Sequence, residues 1–196
     1  MQSHESSNGM NMETPDETGL ITLEIVDLTE ICHFEICSLL SNEKLADYLR
    51  EMLPLSHLEG CHSIQYDPGN PYFSEHPEVL AFFDPDSHEI KVGPEERQEG
   101  QEGMLDTLVH EIGHNVHQNI LEHDPEKAKQ WISLYEEGVG FVSDYASTDQ
   151  YEDFAESYMT YVRDPEFLQF INPEKYTFMR DEVFAGQEYP LKTSQV

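Results

Sequence analysis

The chain has 196 residues, with 40 Asp or Glu against 10 Lys or Arg and a formal charge of −30 at pH 7. A surface this negative repels nucleic-acid phosphates and anionic lipid, and no stretch approaches the roughly 20 apolar residues of a membrane helix, so neither kind of partner is expected. Hydrophobic residues make up 38% and include ten Phe and ten Tyr, enough for one packed core in a chain of single-domain length.

Residues 1–19, MQSHESSNGMNMETPDETG, are polar and acidic. They lack the basic start and apolar run of a secretory signal, so a disordered acidic tail and a cytoplasmic location are expected. Residues 20–185 are read as a single domain. From Leu20 to Leu28, Ile21, Leu23 and Ile25 alternate with smaller or polar residues, as in a strand with one buried face. The three cysteines are Cys32, Cys37 and Cys61. An odd number without a secretory signal points to free, buried thiols. A zinc site made by these three with His62 is the weaker reading, because the spacing is loose and the second half lacks a pair.

Ser41 to Leu53 opens with a capping residue and carries Leu45, Tyr48, Leu49 and Met52 at helical spacing, with Pro54 to end it. Ser63 to Tyr66 reads as a short strand and DPGNP, 67–71, as a turn. Val79 to Val92 reads as a hairpin, two alternating runs around a Pro-Asp turn. Gly93 to Gly103 reads as an acidic linker.

Asp106 to Leu121, DTLVHEIGHNVHQNIL, contains H-E-x-x-H. Residues four apart lie one turn apart on one helix face, so His110 and His114 can aim two imidazoles at one point. Zinc takes imidazole nitrogen readily, and Glu111 stands where a carboxylate could accept a proton from a metal-activated water. Leu105, Leu108, Val109, Ile112, Val116 and Ile120 form the apolar stripe. His117 shares the ligand face, but three ligands so close on one helix strain the geometry. It is expected as a cleft wall or a group behind a ligand. The longer pattern with Gly at 117 and His at 120 is absent.

Asp124-Pro125 starts a helix to about residue 137 with Trp131 and Leu134 inside, and Gly138 stops it. A further helix is expected from about Gln150, after Thr148 or Asp149 as cap. It places Glu152 and Glu156 on one face, with Phe154, Tyr158, Tyr161 and Val162 available for packing.

HEIGH followed by YASTDQYEDFAE resembles the gluzincin metallopeptidases, within them the group that includes the anthrax lethal factor protease domain and the bacterial Pro-Pro endopeptidases. The likeness spans residues 80–185. It rests on two motifs in order, EDFAE beginning at Glu152 and Tyr145 standing ahead of it. The resemblance implies an α+β, zincin-like domain with one Zn2+ per chain, bound by His110, His114 and Glu152. Glu111 would be the general base, Tyr145 the donor to the oxyanion, and Glu156 the acceptor of a hydrogen bond from a ligand histidine. If Glu152 is not the ligand, Glu156 or Asp153 is next. The implied activity is zinc-dependent hydrolysis of peptide or protein substrates. The alternatives are a zinc-bearing binding module without turnover and a structural zinc site.

Asp164-Pro165 and Asn172-Pro173 each start a short helix. Phe167, Leu168, Phe170, Tyr176, Phe178, Met179, Val183 and Phe184 are expected to hold the Glu152 helix against the HEIGH helix. Residues 186–196 read as a loose tail.

Overall fold

The computed structural model describes residues 24–26 and 28–189, so the expected tail over 1–19 lies outside the described residues. The fold is mixed α+β: a five-stranded sheet built from the N-terminal half, followed by a helical C-terminal half. Strand β1 (Glu24–Val26) is antiparallel to β2 (Thr29–Cys32). Strand β2 runs parallel to β3 (Ser63–Tyr66), and β3 parallel to β5 (Glu89–Val92). Strand β4 (Ala81–Asp84) returns antiparallel to β5 and forms one edge of the sheet, in the order β1-β2-β3-β5-β4.

Register explains the sheet's inner face. Ile31 pairs with Ile64, Ile64 with Ile90 and Ile90 with Phe83, so one apolar row crosses four strands, and its three isoleucines are fully buried. Ser63, Gln65, Glu89 and Lys91 make a polar row: the Lys91 ammonium donates to Gln65 at 2.8 Å and lies 2.9 Å from Glu89. The pleat puts alternate residues on opposite faces, which is why the rows do not mix.

The first strand is displaced from expectation. Residues 20–23, including Ile21 and Leu23, lie outside the described residues. Within β1 the buried residue is Val26, whereas Ile25 is 54% exposed. The pairing of Ile25 with Glu30 turns both outward, and Arg50 donates to the Ile25 carbonyl at 3.1 Å.

Helix α1 (Asn42–Met52) is capped by Ser41 and buries Leu45, Ala46 and Leu49. A short helix α2 (Pro71–Glu75) starts on the Asn70 cap within the expected turn cluster. Helix α3 (Gly100–His123) begins earlier than expected, inside the acidic linker, because Met104 is already fully buried and starts the apolar stripe. Helix α4 (Pro125–Glu136) is capped by Asp124, and α5 (Gln150–Arg163) by Asp149. The end is α6 (Pro165–Ile171), α7 (Pro173–Phe178) and a π turn (Met179–Val183).

Leu168, Tyr176, Phe178, Met179 and Phe184 are buried as expected, but Phe167 and Phe170 face outward, Phe170 at 82% exposure. The short α6 buries only Pro165 and Leu168, three apart on one face, so its other aromatics point to solvent. Packing continues past Gly186: Tyr189 is buried against Tyr161 and Phe184, and its hydroxyl reaches the Met52 carbonyl. Residues 190–196 lie outside the described residues. All three cysteines are free, Cys32 and Cys61 buried and Cys37 half-buried. No helix among the described residues is long and apolar enough to cross a membrane.

Candidate metal centre

The centre is made where α3 crosses α5. A side chain on Gly113 would place its Cβ 3.0 Å from the Ala155 Cα and 3.2 Å from the Tyr158 Cβ, so the two helices meet at van der Waals contact there. Helical spacing sets His110 and His114 on the α3 face toward α5, and Glu152 and Glu156 on the α5 face toward α3. Asp149 fixes the start of α5 by accepting from the Tyr151 and Glu152 backbone N–H groups at 2.8 and 3.0 Å. The Trp131 indole ties α4 to that point, donating to the Gln150 carbonyl at 3.0 Å.

Three donor atoms converge. His110 Nε2 lies 3.1 Å from His114 Nε2 and 3.1 Å from Glu152 Oε2, and His114 Nε2 lies 3.4 Å from the same oxygen. Among the described residues this is the one group of three potential ligand atoms lying within 4.8 Å of one another. Glu152 Oε2 is buried and faces both imidazoles. Two imidazole nitrogens and a carboxylate oxygen suit a borderline divalent cation, and this donor set fits zinc. The geometry leaves Asp153 out: its carboxylate pairs with the Lys175 ammonium at 2.6 Å, both side chains fully buried.

Glu156 stands behind His110 and accepts from its Nδ1 at 2.9 Å, which directs Nε2 toward Glu152. The other Glu156 oxygen accepts from the Ser143 hydroxyl at 2.6 Å, and Ser143 Oγ in turn accepts from the Ala146 N–H at 2.9 Å. Ser143 thus anchors the loop that carries Tyr145, a link that sequence spacing did not reveal. The local signal was a serine three residues before a turn N–H, common enough to pass unnoticed.

Charge follows from this packing. Burial alone would depress His110, but hydrogen bonds to Glu152 and Glu156 outweigh it and push the imidazole up to about 10. Burial would raise Glu152, but the two histidines hold it well below the usual carboxylate range. Glu156 is likewise held low against burial by His110 and Ser143. Burial, then the Glu152 charge, pushes the Tyr145 phenol up, so its hydroxyl keeps its proton across the neutral range. The Tyr145 ring stacks over His110 with centroids 6.0 Å apart.

Glu111 is 6% exposed and lines two cavities, of about 400 and 470 Å³. His110, Tyr145 and the β4 residue Ala81 line both as well, so the two cavities adjoin at Glu111 and His110 beside the sheet edge, and His114 and Glu152 line the larger one. Tyr72, Phe82 and Tyr151 give the larger cavity an aromatic wall. Nothing in the sequence separated these from the other aromatic residues of the chain.

His117 is not a wall of this cleft. It is 1% exposed, stacked on Phe154 with centroids 4.4 Å apart, and neither ring nitrogen has a hydrogen-bond partner. Burial, with the nearby His114, lowers it to about 3. The sulfur-based second site does not assemble either: Cys61 bonds weakly to the Ser63 carbonyl and Cys37 faces Glu95. A further cavity, of about 810 Å³, lies around His57, His123 and Glu182 at the far end of α3 and includes none of His110, His114 and Glu152.

No protein-family model matches this sequence, and no curated protein matches it.

Proposed function

We propose that the chain is a zinc-dependent peptidase of gluzincin type with a zincin-like architecture. The observation that carries this reading is the convergence of His110, His114 and Glu152 from two helices, with Glu111 and Tyr145 beside them lining two adjoining cavities. A structural metal site would have no use for a buried carboxylate lining an open cavity.

His110, His114 and Glu152 would hold a zinc ion, which when bound would supply a water of lowered pKa and polarise the substrate carbonyl. Glu111 takes the proton from the attacking water and passes it to the leaving amine, so one carboxylate serves as base and then acid. Tyr145 donates its hydroxyl to the oxygen that becomes negative as the carbonyl turns tetrahedral. Glu156 holds the His110 tautomer, and Ser143 holds Glu156. Among the described residues β4 is the outermost strand on its side of the sheet, and its outer edge offers backbone groups that an extended peptide can pair with, laying the scissile bond across His110 and Glu111.

The test is Glu111→Gln. The variant is expected to bind zinc at one per chain and to lose hydrolysis of a peptide library that the zinc-loaded parent cuts. A variant as active as the parent would sink the reading.

A further inference from the structure

The peptidase reading leaves the substrate open, and the inference here rests on that reading. The smaller cavity beside Glu111 combines two kinds of lining. Val79, Leu80 and Met159 supply apolar wall, and Glu78 and Asp106 supply carboxylates. Among the described residues, no Lys or Arg lines this cavity or the adjoining one.

The carboxylates are under-compensated. Arg163 sits 2.6 Å from Asp106 and 2.6 Å from Glu102, so one guanidinium is shared between two negative groups. Glu78 is largely exposed, and its ion-pair partner among the described residues is His76 Nδ1 at 3.7 Å, beyond hydrogen-bond length. A second cation placed in the cavity would therefore meet unspent negative charge, and a carboxylate would meet repulsion.

We propose that the cavity receives a Lys or Arg side chain from the substrate residue beside the scissile bond. The aliphatic stem lies along Val79, Leu80 and Met159, and the charged head reaches Glu78 and Asp106. The formal charge of −30 acts in the same direction by drawing cationic peptides toward the molecule.

The experiment uses the zinc-loaded full chain and peptides that differ only at the two residues flanking the cut bond, with Lys, Arg, norleucine or Glu in turn. At one of those positions Lys and Arg are expected to exceed norleucine by about tenfold or more in kcat/KM, with Glu lowest. Glu78→Gln should narrow the ratio of Lys to norleucine, Asp106→Asn should narrow it further, and high salt should narrow it in the parent. If norleucine or Glu peptides are cut as fast as Lys peptides, the inference falls and the peptidase reading stands. A Lys preference untouched by either substitution overturns the assignment to these carboxylates. If the parent cuts nothing and matches Glu111→Gln, the peptidase reading falls and takes this inference with it.

Discussion

Gly113 and Ala155 are in backbone contact: a Cβ on Gly113 would stand 3.0 Å from the Ala155 Cα. That contact sets the distance between the helix that carries two imidazoles and the helix that carries Glu152. A methyl group at this point must push backbone, not a flexible side chain. Gly113→Ala is expected to cost about 1–3 kcal/mol through overpacking, and Gly113→Val more. Both should weaken zinc binding, because the carboxylate moves while the imidazoles stay. Thermal melting and zinc titration of the two variants check this. Wild-type affinity in Gly113→Val would show that the crossing does not govern the ligands.

The chain from His110 through Glu156 to Ser143 predicts a graded loss of affinity. Glu156→Gln keeps an acceptor for the His110 Nδ1–H but removes the carboxylate charge behind it, which weakens the basicity of the ring, and substitutions of this kind lower metal affinity by about 10–100-fold. Ser143→Ala leaves Glu156 in place but lets it turn, so a smaller loss is expected. A chelator competition series would order the parent, Ser143→Ala and Glu156→Gln. An unchanged Ser143→Ala would confine Ser143 to holding its own loop.

Tyr145 touches the centre through its ring and has no place in the expected ligand set. Tyr145→Phe should keep zinc affinity near the parent value, because the stack on His110 survives. It should lower kcat by about 10²-fold, the scale for one lost donor to an oxyanion, with KM little changed. A matching fall in zinc affinity would make Tyr145 a supporting group of the metal site instead.

The helices were more legible than the sheet, for a physical reason. Caps at Ser41, Asp124, Asp149, Asp164 and Asn172 accept from backbone N–H groups of the helices they begin, so a local signal decides a local structure. That His110 lies beside His114, and Glu156 one turn beyond Glu152, was legible because i and i+4 share a helix face, whereas the meeting of Glu152 with the two histidines was implied only by the family resemblance. Strand facing is set by pairing with distant segments, and the Ile25 face was misread for that reason. His117 was misread because helical position places it near the ligands, while the aromatic stack with Phe154 and Tyr151 that buries it belongs to another helix. The cavity linings depend on β4, α3 and the 137–149 loop together, and no local pattern reports on such a meeting.

His57 predicts a dependence of stability on acidity away from the candidate metal centre. Its Nε2 lies 3.0 Å from the Val183 carbonyl, which can only accept, so that nitrogen carries the proton, and Nδ1 accepts from the Tyr158 hydroxyl at 2.8 Å. The ring is held neutral, and burial lowers it to about 4 from an ordinary value of 6.5, with the Val183 carbonyl opposing the shift. Between those values the unfolded chain binds a proton that the folded chain refuses. The stabilisation is therefore complete above about pH 6.5 and is lost as pH falls toward 4, at about 1.4 kcal/mol per unit. The acidic surface works in the other direction over the same range, since protonating carboxylates relieves repulsion. The contribution of His57 is thus read from a difference. Urea unfolding of the parent and of His57→Gln at pH 7 and pH 5 should show the gap between them shrinking at the lower pH. A gap that stays constant or widens would mean that His57 is not held neutral in the fold.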